Sequence, residues 1–201
     1  MGHGETRKTQ QHENHDAVDA LRRWRQQGEG KRSRRSGIKR FTWADELSAP
    51  AQLDRALQAG EQALALARES RFRRAEADSL ICLSLTYKEA CRYDEARTHA
   101  EQALALARDH SFRVVEGQAL TALCETAKAE EAHGTAVELG QEALAVHRET
   151  GHRLGEARTL MALARAHRKT DEGAAELMGR QAQAIFSDIG VPETEYEDLD
   201  R

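Results

Sequence analysis

Between residues 50 and 190 the apolar positions fall at helical spacing and the polar ones fill the opposite faces. Leu80, Leu83 and Tyr87 stand at i, i+3 and i+7, so the spacing predicts a helix over 73–90. Ala96, Ala100, Ala103, Leu104 and Ala107 share one face of a second helix, over 93–109. This two-helix pattern recurs at a spacing of 40. EQALALAR at 61–68 returns unchanged at 101–108, and QEALAVHR stands at 141–148. Glu76, Leu80 and Leu83 return as Glu116, Leu120 and Leu123, then as Glu156, Leu160 and Leu163. Phe72 and Arg73 return as Phe112 and Arg113, then as His152 and Arg153. A fourth copy follows at 39: Ala175, Ala182, Ala184 and Ile185 answer Ala136, Ala143, Ala145 and Val146, which puts a one-residue deletion near 170–173.

One helical hairpin cannot bury its apolar face alone, but stacked neighbours can, which is why such units come in series. Ser84, Cys124 and Ala164 share one repeat position, and Ala96, Ala136 and Ala175 another. Small residues there let helix axes approach closely. Composition agrees. The chain has 201 residues, 34 of them alanine, with 4% aromatics and two prolines, Pro50 and Pro192. That favours stacked helices over a sandwich or barrel. The expected class is all-α, with antiparallel hairpins and degenerate repeats at both ends.

The residues that carry the pattern resemble the tetratricopeptide repeat. Leu80, Leu83, Ser84, Tyr87, Ala96, Ala100 and Ala103 fill its positions, and Tyr93-Asp94-Glu95-Ala96 looks like its turn into the second helix. The resemblance covers about 50–190. Ala127 and His167 depart from it where a tyrosine would stand, and no helix-ending proline is present. The 40-residue period and the joints resemble the repeats of actinobacterial transcriptional regulators and regulatory ATPases. So does the ending IFSDIGVPETE. The resemblance implies a right-handed solenoid with repeats at 73–112, 113–152 and 153–190 and a degenerate cap at 36–72. It also implies a concave groove lined by the first helix of each pair, which would receive a peptide or helix. By repeat position the groove residues are Asp78, Ile81, Leu85, Lys88 and Glu89, then Gln118, Thr121, Glu125 and Lys128, then Arg158, Met161, Arg165, Arg168 and Lys169. The third set is strongly basic, which favours an acidic partner segment. The asparagines and lysines of the family's chaperone-tail clamp are mainly absent. The regulator resemblance implies an alternative role as a sensor region of a transcriptional regulator.

Charge divides the chain. Residues 1–40 carry 11 Lys/Arg against 5 Asp/Glu, a net +6, which leaves −10 on the rest to give the overall −4. Residues 1–35 read as a basic, mostly disordered arm, with a short helix at 16–27. The run KRSRRSGIKR at 31–40 is a nucleic-acid candidate, but no helix-turn-helix or zinc pattern accompanies it, so nucleic acid is the weaker expectation. Residues 191–201 form an acidic tail that could fold back onto the basic third repeat.

Catalytic motifs are absent: there is no GxxxxGK[ST], no GxGxxG after a strand and no GxSxG. The expected role is therefore non-catalytic, with no cofactor and no metal. The histidines, including His99, His110, His133, His147, His152 and His167, read as solvent residues without metal-ligand spacing. Cys82 and Cys124 read as buried packing residues and Cys91 as an exposed thiol; three cysteines without CxxC fit a reducing cytoplasm. No membrane span or secretory h-region is visible. Open stack ends permit self-association.

Overall fold

The computed structural model describes residues 50–191, with side chains from Leu53 onward. The part of the expected cap before residue 50, the helix at 16–27, the basic arm and the tail beyond Val191 lie outside the described residues. Seven helices follow one another: α1 (Pro50–Glu69), α2 (Arg73–Glu89), α3 (Tyr93–Asp109), α4 (Arg113–Ala129), α5 (His133–Thr150), α6 (Arg153–His167) and α7 (Glu172–Asp188). No strand occurs among the described residues. No helix of these is long and apolar enough to cross a membrane. Each helix packs on the next in sequence, and α2, α4 and α6 also touch one another, α2 to α4 and α4 to α6.

The backbone repeats at half the sequence period. Helices α2 to α6 begin at Arg73, Tyr93, Arg113, His133 and Arg153, each twenty residues after the last. Before each start stands a residue with left-handed φ: Arg71 at 53°, Cys91 at 57°, Ser111 at 56°, Glu131 at 63° and Gly151 at 66°. That geometry turns the residue's own amide and the next one back onto the helix end. Phe72 N–H reaches Ala67 O at 2.9 Å and Arg71 N–H reaches Arg68 O at 3.1 Å, and the later turns repeat the pair. The deletion read at 170–173 is real in the backbone. Helix α6 is two residues shorter than α4, and Asp171 takes an extended φ of −151° and caps α7, accepting from Ala174 N–H at 2.9 Å.

The core is built from the recurring small and leucine positions. Ala67, Ala96, Ala100, Ala103, Ala107, Ala136 and Ala143 are wholly buried, as are Leu83, Leu120 and Leu163. Cys82 and Cys124 are buried and Cys91 is exposed, as the repeat positions indicated. Leu64, Leu104 and Leu144, one repeat column, each pack against core clusters; Gln183 holds that column in α7 and is exposed.

The recurring Arg and Glu positions clamp the joints. Glu76 receives Arg68 Nε at 3.1 Å and Arg73 Nη1 at 2.7 Å. Arg108 and Arg113 hold Glu116 in the same way, and Arg148 and Arg153 hold Glu156. All three glutamates are buried. Burial pushes the Glu76 carboxyl up, but the Arg73 and Arg68 hydrogen bonds and charges outweigh it and hold it below its ordinary value.

His147 corrects the sequence reading. It is 1% exposed, in a column that holds Ala67 and Ala107 elsewhere. Two glycines make room for it. A Cβ at Gly117 would sit 2.7 Å from the imidazole, and one at Gly155 would sit 2.4 Å from it. The same columns hold Ala77 and Ala75 in the first repeat. Nδ1 of His147 lies 3.2 Å from Nδ1 of His152, and Nε2 lies 3.4 Å from the Thr121 hydroxyl, which in turn bonds Thr159 at 2.8 Å. Burial first, then the neighbouring His152, lower the His147 pKa to about 4.

Candidate functional site

Helices α2, α4 and α6 bring their last turns side by side. Positively charged side chains are favourable there, because the carbonyl end of a helix carries partial negative charge. Lys88, Lys128 and Arg165 occupy those turns. With Glu89, Glu125, Ala129 and Ala162, and with Cys91 and Tyr93 from the turn into α3, they line a cleft of about 290 Å³. That is near the lower end of small-ligand sites and ample for one or two side chains of a partner.

One ion pair organises the cleft. Lys88 Nζ lies 2.5 Å from Glu125 Oε2 and 3.2 Å from Glu89. Both Lys88 and Glu125 are largely covered, at 18% and 22% side-chain exposure, so each depends on the other for its charge. Burial works against the Lys88 ammonium, but Glu125 and Glu89 overcome it and raise its pKa. Burial likewise works against the Glu125 carboxylate, and Lys88, Arg165 and Arg158 overcome it and lower its pKa. Glu125 is thereby engaged with Lys88. Lys128 is in the opposite situation. Its pKa is lowered by partial burial and then by the charges of Arg165, Lys88, Arg168 and Lys169. Positive charges thus accumulate around Lys128, while Glu125 and Glu131 offset part of them at Lys88 and Lys169.

Of the residues expected in the groove, Lys88, Glu89, Glu125, Lys128 and Arg165 are brought together in the cleft. Arg158, Arg168 and Lys169 act on it through their charges, Arg158 on Glu125 and the other two on Lys128. Lys169 also stands 3.7 Å from Glu131. Asp78, near the other end of α2, pairs with Arg74 at 3.3 Å; Gln118 and Leu85 are half-buried outside the cleft. Ile81, Thr121 and Met161 form one repeat column, and all three are buried by neighbouring helices rather than offered to a groove. Met161 packs with Leu160, Ile185 and Phe186, and Thr121 bonds Thr159.

Cys91, Tyr93, Ala129 and Ala162 join the site without a sequence expectation. The neighbouring Cys91 thiol, and then burial, raise the Tyr93 pKa. Among the described residues no cluster of three His, Cys, Asp or Glu side chains could hold a metal ion. A scan against protein-family models finds no match. A search of curated proteins finds no significant relative.

Proposed function

We propose that the chain is a non-catalytic interaction scaffold. On this reading the α2–α4–α6 row is the inner wall of a tetratricopeptide-type solenoid, and the cleft between Lys88 and Arg165 holds an acidic segment of a protein partner. The observation that carries the proposal is the convergence of Lys128 and Arg165 over the small side chains of Ala129 and Ala162, with Glu125 already paired to Lys88. Two supports bear on the solenoid. The twenty-residue helix-and-turn period gives each helix a like-spaced successor, and only the alternate helices of one row make extensive contact with each other. Arg and Lys beside the alanines of the cleft suit carboxylates, each charge-assisted hydrogen bond adding about 1.5–3 kcal/mol.

The test is affinity capture from nuclease-treated extract with the full chain and with its R158E/R165E/R168E variant, circular dichroism confirming the fold of both. Removing two such hydrogen bonds weakens binding tenfold or more. A protein captured by the parent chain but not by the variant is the expected result. Equal capture by both overturns the proposal. Capture that disappears with nuclease treatment assigns binding to the basic arm at 31–40 instead.

A further inference from the structure

The cleft has a candidate occupant in the chain itself. Residues 193–200 read ETEYEDLD, with carboxylates at Glu193, Glu195, Glu197, Asp198 and Asp200. We propose that Glu197, Asp198 and Asp200 dock on Lys128, Arg165 and Lys169, so that this acidic segment competes with an external partner for the same surface. The proposal rests on the reading of the cleft as a site for acidic segments, and it names a regulator of that site.

Reach selects these residues. Helix α7 runs back along α6, because Asp188 at its end lies 3.3 Å from Arg153 at the start of α6. From Arg153 to Arg165 the helix rises about 18 Å, and an offset to the neighbouring helix brings the path to about 20 Å. Extended chain covers at most roughly 3.3–3.6 Å per residue. From Val191, Glu193 falls far short, whereas Glu197 just spans the distance and Asp198 and Asp200 exceed it. Charge selects the destination. Lys88 is bound to Glu125, whereas Lys128 shares the cleft wall with Arg165 and feels the further positive charges of Arg168 and Lys169. Exposed charges are screened beyond about 8–10 Å at ordinary salt, so the attraction acts only on contact and weakens as salt rises. A tethered segment meets the cleft at an effective concentration on the order of mM. Contacts too weak to hold a free peptide therefore still compete.

Zero-length carbodiimide cross-linking of the full chain tests this directly. Lys88, Lys128 and Lys169 are the only lysines in 50–191, and Lys8, Lys31 and Lys39 report on the basic arm. The Lys169–Glu131 pair, 3.7 Å apart, is the internal control for the chemistry. Expected are links within one chain from 193–200 to Lys128 or Lys169, fading at high salt. Tail links confined to Lys31 and Lys39, links only between chains, or none while Lys169–Glu131 links, each overturn the proposal. A second arm titrates a blocked glutamate-rich peptide into the full chain and into its E197Q/D198N/D200N variant. Affinity several-fold higher in the variant is expected, and equal, measurable affinity in both overturns competition while leaving the cleft reading intact. If the peptide binds neither chain, the cleft reading fails, and the competition proposal with it.

Discussion

Replacing Gly117 with alanine should destabilise this protein, although elementary helix propensity says the reverse. Gly117 lies inside α4, and alanine is better than glycine in a helix interior by about 0.8–1.0 kcal/mol. The new Cβ, however, would stand 2.7 Å from Cε1 and 2.8 Å from Nδ1 of His147. The ring cannot retreat freely. The backbone of Gly155 closes its other side, and the His152 ring lies 3.2 Å away, Nδ1 to Nδ1. Overpacking a tight site costs about 1–3 kcal/mol, so the net effect of G117A ranges from near zero to about 2 kcal/mol of lost stability. In an H147A background the clash is gone, and G117A should then stabilise by about 1 kcal/mol, its propensity alone. The two substitutions should therefore couple by about 2 kcal/mol in a double-mutant cycle measured by urea denaturation with helical circular dichroism. Equal stabilisation by G117A in both backgrounds would show that His147 does not occupy the glycine slot.

Acid should weaken the fold partly through the same residue. The His147 pKa is held at about 4, while an unfolded histidine titrates near its ordinary value of about 6.5. Between these values the unfolded chain binds the proton and the folded chain does not, so stability falls as pH falls through that window. His152, also lowered, adds in the same direction. Glu76, held below its ordinary value, adds a further loss below about pH 4.5, as the unfolded carboxylate takes up a proton first. The H147A variant should show a flatter stability profile between pH 6.5 and pH 4; an unchanged slope in denaturation midpoints would refute the assignment. At the α5–α6 turn, Gly151 has φ 66° with open space around its Cβ position. Gly151→Ala should cost about 1–2 kcal/mol through backbone strain alone. Ser111→Gly, at φ 56°, should be neutral to stabilising, and the reverse order of the two in thermal melts would contradict the turn geometry.

The forty-residue repeat is legible because its markers are chemical. Arg68, Glu76 and Arg73 recur as a clamp, and the leucines recur as core. The twenty-residue period is not legible, because what the turns share is a backbone conformation. Arg71, Cys91, Ser111, Glu131 and Gly151 have no side-chain property in common, and the first helix of each pair presents different faces from the second. His147 reads as a solvent residue when only its own column is weighed. The compensating signal lies in two other columns, where Gly117 and Gly155 replace the Ala77 and Ala75 of the first repeat. In the cleft, Lys88, Lys128 and Arg165 can be found from repeat position, as each lies in the last turn of a first helix. Ile81, Thr121 and Met161 cannot be separated from them by position, since whether a column faces a neighbour or solvent depends on how the helices pack. Cys91 and Tyr93 escape a position-based reading for the opposite reason: they belong to a turn and to the following helix, outside the elements taken to line the groove.

The central claim is that the cleft at the ends of α2, α4 and α6 receives an acidic partner segment. Amide chemical shifts of the 201-residue chain, followed while a blocked glutamate-rich peptide is added, test it most directly. The expected result is a saturable set of shifts at Lys88, Glu125, Lys128, Ala129, Ala162 and Arg165, diminished by salt. Shifts confined to residues 1–40 or to the outer face of α7 would contradict it.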